Sequence, residues 1–174
     1  MYKDHPEFQI TRTKDLPYWR YMDFWKFLDL IKTSKLYFPN FEMLGDQYEG
    51  KIPEKIYKMM LDEERKTGSE YATTLKNHIE TKLRIRTLVS SWSACKTESF
   101  ALWKMYAKEK LGIGIKSNYE RLKKAFDDTT DDIYIGEVRY YDDNKPKYCI
   151  GNSFYTFLTK NNYYEFESEV RCIT

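Results

Sequence analysis

The stretch 163–173, Tyr-Tyr-Glu-Phe-Glu-Ser-Glu-Val-Arg-Cys-Ile, carries the densest set of groups able to do chemistry. Read as a β-strand, it sends Phe166, Ser168, Val170 and Cys172 to one side. Glu165, Glu167, Glu169 and Arg171 go to the other, because successive side chains leave opposite faces. Like charges two residues apart on a strand raise each other's pKa and need a reason to be there. Two readings are open. The row is either a solvated face balanced by Arg171, or a cleft in which one carboxylate stabilises positive charge. Other polar candidates lie upstream. Arg20 sits in the middle of a short aromatic strand, 17–22. Ser91 and Ser93 share one face of a strand over 87–93, with Trp92 on the other. Trp103 and Tyr106 stand at i and i+3 of a helix, as core or as a stacking platform. Asp46 and Glu49 cap or brace the loop 45–50.

Composition narrows the classes. Net charge is +2, from 29 basic and 27 acidic residues, which argues against an electrostatic nucleic-acid binder. Hydrophobic residues make up 41% and aromatic residues 17%, so a sizeable core can form. The Tyr and Phe residues either carry that core or offer flat faces for stacking on bases or a nicotinamide ring. Cys95, Cys149 and Cys172 form no CxxC pair, and His5 and His78 lie far apart, so neither a disulfide framework nor a metal site is expected. The acidic turn 127–132 lacks the central Gly and terminal Glu of a calcium loop. No apolar run approaches membrane-spanning length and no apolar leader is visible. The expectation is a cytoplasmic protein with no membrane partner.

These groups must be placed by local elements. After the strand 17–22, Asp23 is expected to cap a helix with apolar positions Phe24, Phe27, Leu28 and Ile31. Leu36-Tyr37-Phe38 reads as a second short strand, stopped by Pro39-Asn40. Two charged helices over about 53–85 read as an insertion or lid, packed through Ile56, Met60, Leu75 and Ile79. Strand 111–116 has Gly112 and Gly114 at alternate positions, which suggests a close approach of backbone or ligand. It is neither a phosphate loop nor a dinucleotide-binding turn. Ser117 to Glu120 has the form of a capping box, opening a helix with Tyr119, Leu122 and Phe126 inward. Residues 133–141 read as one strand. The loop Asn144-Lys145-Pro146 leads to a helical segment at Phe154–Leu158. The sum is an α+β fold, a single domain over 1–174 with a small mixed or antiparallel sheet system and flanking helices.

Several segments, taken in order, resemble the bacterial and phage domain of unknown function DUF2971. They are Tyr18-Trp19-Arg20-Tyr21, Leu36-Tyr37-Phe38-Pro39, Leu44 to Glu49, Val89 to Ser93, Ala101 to Ala107, Gly112 to Ile115, and Tyr164 to Arg171. The resemblance covers most of the chain, from about Tyr18 to Ile173. Where the family usually has Asn-Asp-Pro-Phe-Glu, this chain has Gly-Asp-Gln-Tyr-Glu. A second resemblance, to the arginine–serine–glutamate layout of ADP-ribosyltransferases, carries an activity. It implies that Arg20 grips the diphosphate of NAD with its planar fork. Ser91 and Ser93 would orient the nicotinamide ribose, and Trp92, Trp103 or Tyr106 would flank the nicotinamide. Glu169 would stabilise the oxocarbenium-like ribose as nicotinamide leaves, with Glu167 on the acceptor side.

Three functions follow as expectations. One is an NAD-dependent ADP-ribosyltransferase of bacterium–phage conflict, with NAD as substrate, no metal, and a protein or nucleic-acid target. The second is a non-catalytic protein-interaction module of the same fold. The third, a nuclease-like or nucleic-acid-binding domain using Asp46, Glu49 and Glu167, has the least behind it, since charge is near balance and no metal-ligand spacing accompanies those acids.

Overall fold

A computed structural model describes residues 1–107, 111–142 and 152–174; Cys149 and the loop expected at 144–146 lie outside them. The fold is α+β. It divides into two compact units, one of residues 1–38, 89–137 and 166–174, the other of 39–88 and 138–165.

The first unit is built on an antiparallel sheet. Its strands are β1 (Tyr18–Asp23), β2 (Val89–Ala94), β3 (Gly112–Ser117), β4 (Tyr134–Glu137) and β7 (Glu169–Ile173). They lie in the order β3-β1-β2-β7-β4, so β2 and β7 are interior, each with a neighbour on both sides. Tyr18 stands opposite Ala94, Trp92 opposite Val170, and Ser90 opposite Cys172. Directly opposed residues share a face. Tyr18, Trp92, Ala94, Ile135, Val170 and Cys172 therefore form one apolar face, on which Leu122 and Phe126 also pack. Leu122 belongs to the helix α6 (Tyr119–Ala125). That helix is capped by Asn118, whose side chain accepts from the Arg121 N–H at 2.9 Å, and not by a Ser117 box. The segment 36–38 forms no strand. It crosses this core as coil, with Leu36 and Phe38 packed into it.

The helix α1 (Phe24–Thr33) departs from expectation in two ways. Asp23 sits at its N-cap without making the cap hydrogen bond, and its Oδ1 is buried with no hydrogen-bond partner among the described residues. None of the helix's residues is buried. Phe24, Phe27 and Leu30 are half-covered, while Trp25 (70% exposed), Leu28 and Ile31 (61%) form an outward row at three-residue spacing.

The second unit holds α2 (Glu54–Thr67), α3 (Tyr71–His78), a π-helical turn Ile79–Leu83 and α4 (Arg84–Arg86). Ile56, Met60 and Ile79 are buried as the sequence spacing predicts, joined by Ile52 and Ala72, with Leu75 packed at the margin. The strand read over 133–141 is two strands. β4 ends at Glu137, and β5 (Arg139–Tyr141) pairs in parallel with β6 (Thr159–Asn161) in the second unit. Between them, α7 (Phe154–Phe157) is the helical segment expected there. Asp46 and Glu49 are braces. Asp46 accepts from the Tyr48 N–H at 2.9 Å, and Glu49 pairs with buried Lys160 at 3.0 Å.

Glu137 ties the N-terminal arm to the sheet. It accepts from the Thr11 and Thr13 N–H groups, both at 2.8 Å, from the Thr13 hydroxyl at 2.9 Å and from Arg12 at 3.0 Å. Burial pushes this carboxyl up, but the four donors outweigh burial and hold it below the usual carboxylate range. A depressed folded pKa gives stability that is present above the unfolded value, about 4.3, and is lost as pH falls through the folded value. Glu137→Gln is expected to lower unfolding free energy by about 2 kcal/mol near neutrality. The gap to wild type should narrow in acid, as urea denaturation at several pH values would measure.

Candidate functional site

The motif-bearing strands β1, β2 and β7 are neighbours at the centre of the sheet. Register decides where their side chains go. Trp19 stands opposite Ser93, Ser93 opposite Glu169, and Ser91 opposite Arg171. These five positions and Tyr21 share the face away from the apolar core. Arg20, one residue out of phase with Trp19 and Tyr21, lies on the apolar face beside Trp92, Ser90 and Ile115. The sheet therefore separates Arg20 from Ser91, Ser93 and Glu169. Trp92 also falls on the Arg20 side, 4% exposed, with its indole N–H on Ser90 Oγ at 3.2 Å.

The terminal strand is shorter than its alternation suggests. Residues Asn162–Glu167 form a 3₁₀-helix, and Ser168 takes a left-handed φ of 44°. Its hydroxyl donates to the Ala94 carbonyl at 3.0 Å, and its own carbonyl accepts from the Ala94 N–H at 2.8 Å. Polar anchoring at the strand's start thus overrides the alternation. Phe166, expected inward, is 50% exposed, and Glu167 is buried instead.

Of the row of charges only Glu165 is exposed; Glu167, Glu169 and Arg171 are buried. Arg171 is fully buried and Glu169 is 6% exposed. The guanidinium donates from Nε to Glu169 Oε1 at 2.7 Å and from Nη2 to Oε2 at 3.0 Å. This fork engages both oxygens of the carboxylate. Arg171 is flanked in the ladder by Ser91 and Gly136, both small. Ser93 donates through its hydroxyl to the Glu167 carbonyl at 2.7 Å, and Tyr106 donates to the Glu167 carboxylate at 3.0 Å. The structure thus brings Ser93, Tyr106 and Glu167 together, and Glu169 with Arg171 beside Ser91. It does not bring Arg20 or Trp92 to either group.

Trp103 explains the alternate glycines. It lies on α5 (Phe100–Tyr106), capped by Ser99, and its N–H donates to Glu98 at 2.8 Å. Its ring meets Tyr21 edge-on, with centroids 4.9 Å apart. A Cβ on Gly114 would lie 2.9 Å from this ring, and one on Gly112 would lie 2.5 Å from the Ala107 Cβ and 3.1 Å from the ring. The close approach expected at these glycines is made by the chain's own indole at Gly114, and by Ala107 with that indole at Gly112.

Among the described residues no cluster of His, Cys, Asp or Glu is able to hold a metal ion, and no helix is long and apolar enough to cross a membrane. Nothing in the sequence marks Lys160 as the partner of Glu49. The same holds for Arg84, which is buried and donates to the carbonyls of Glu49 and Phe41. Neither residue stands near its partner in sequence, so no spacing signals it. Comparison with family models, curated proteins and solved structures finds no match to the chain.

Because the Trp103 ring fills the space above Gly114, Gly114→Ala is expected to destabilise by about 1–3 kcal/mol through overpacking. In a Trp103→Leu background the same change should cost clearly less. Chemical denaturation of the four proteins checks this coupling.

Proposed function

We propose that this chain works as a non-catalytic protein-interaction module and does not turn over NAD. The observation that carries the reading is the strand register. It puts Arg20 on one face of the sheet and Ser91, Ser93 and Glu169 on the other. A transferase of the expected layout needs its diphosphate clamp and its charge-stabilising carboxylate around one ligand. Glu169 also has both oxygens in the fork with Arg171, so its charge already has a partner. The outward row Trp25, Leu28 and Ile31 supports a protein partner, since uncovered aromatic and aliphatic side chains in one row favour association. Bacterium–phage conflict as the setting rests on the motif resemblance alone.

A specific observation favours the transferase as second reading. The three motif strands are adjacent, and Ser93, Tyr106 and Glu167 meet by hydrogen bonds. Nicotinamide release separates the two. With NAD in excess, the module reading expects no release above that of a heat-inactivated sample. Release by the native protein that is lost in Ser93→Ala, with folding retained, would overturn it.

A further inference from the structure

Arg20 is the cation in the first unit whose surroundings are least explained by the fold. It is half-buried in the apolar face of the sheet. Its contacts are all neutral. Nη1 donates to the Ser90 hydroxyl, Nη2 donates to the Tyr37 carbonyl at 3.0 Å, and the guanidinium lies 5.8 Å from the centre of the Trp92 ring. No carboxylate among the described residues pairs with it. Among the described residues the one titratable group that acts on it is the buried Cys172 thiol, which burial pushes up to about 12 and so keeps neutral. Removal from water lowers the guanidinium's own pKa to about 10, which still leaves it charged at neutral pH.

The hydrogen-bond inventory around it is one-sided. A guanidinium has five N–H donors and no acceptor, and two of its nitrogens are engaged here. Ser90 Oγ accepts from both Arg20 and the Trp92 N–H, so its own proton is left to donate. The constellation offers donors and positive charge, with Tyr37, 56% exposed, at its edge. Arg171, fully buried, is met by a carboxylate; half-buried Arg20 has no such group among the described residues. Cations removed from water without a counter-charge are costly, and an acceptor-only anion supplies what is missing.

We propose that Arg20, with Ser90, forms a binding site for an oxyanion, a phosphate or carboxylate group carried by a small ligand. The site is independent of the Glu169 face and of the module reading, because neither Glu169 nor α1 contributes to it.

Thermal melting with inorganic phosphate as probe tests the site, with sodium acetate as the carboxylate arm and sodium chloride matched for ionic strength. At about tenfold its Kd, phosphate or acetate should raise the melting temperature of the wild type by about 3–6 °C beyond chloride, in a saturable way. Phosphate also stabilises proteins by exclusion from their surface, so the decisive quantity is the difference between wild type and Arg20→Gln. That variant should lose the saturable part, and Arg20→Lys, keeping charge without the fork, should retain a weaker one. Equal saturable shifts in wild type and Arg20→Gln would overturn the site. If Arg20→Gln does not fold, titration calorimetry of the wild type decides, and the absence of saturable heat with both probes would overturn it.

Discussion

The fork between Arg171 and Glu169 is the constraint on which the first unit turns. A guanidinium at the centre of a sheet, with no exposure to water, is tolerable only beside a carboxylate in good geometry. Neighbouring choices follow from it. β7 must be interior, between β2 and β4, so that its apolar residues Val170 and Cys172 reach the core while the pair is shut in on the other face. Residues beside Arg171 in the ladder must be small, and they are Ser91 and Gly136. Ser168 ends the strand in a left-handed turn tied to Ala94, which sets the register that aligns Ser93 with Glu169. On this view the Ser-x-Ser and Glu-x-Glu-x-Arg patterns describe how a buried ion pair is built into a sheet.

Much of this was legible in the sequence, and the misses have physical causes. Alternation on β2 assigned Ser91, Ser93 and Trp92 to the correct faces, and helical spacing found Ile56, Met60 and Ile79. The sequence offers Arg171 as counter-ion on a solvated face, or a cleft holding one working carboxylate; the structure instead buries Arg171 with Glu169 as a pair. Alternation could not show that an anchored turn begins at Asn162, because the same residues fit either conformation until Ser168 meets Ala94. Phase between strands was the larger gap. Within β1 alone, nothing tells which side of the sheet Arg20 shares with β7; only the pairing of Trp19 with Ser93 does. The glycines of β3 announce a close approach, and the groups that make it, Trp103 and Ala107, lie outside the strand.

The sheet thus separates two kinds of polar chemistry. On one face a cation and an anion satisfy each other and hold the fold. On the other, Arg20 stands among neutral groups. Distance in the fold, rather than residue type, distinguishes an arginine that builds structure from one that has binding capacity left.

Glu169 and Arg171 act as one structural unit, which a double-mutant cycle on the two residues measures. Glu169→Leu and Arg171→Met alone each leave a buried charge without its partner, at an expected cost of about 3–5 kcal/mol. The double variant replaces the pair by apolar groups, and its cost should fall well below the sum of the two, with a coupling of at least about 1 kcal/mol. Additive losses would mean that the two side chains are stabilised by other groups, and would contradict the account.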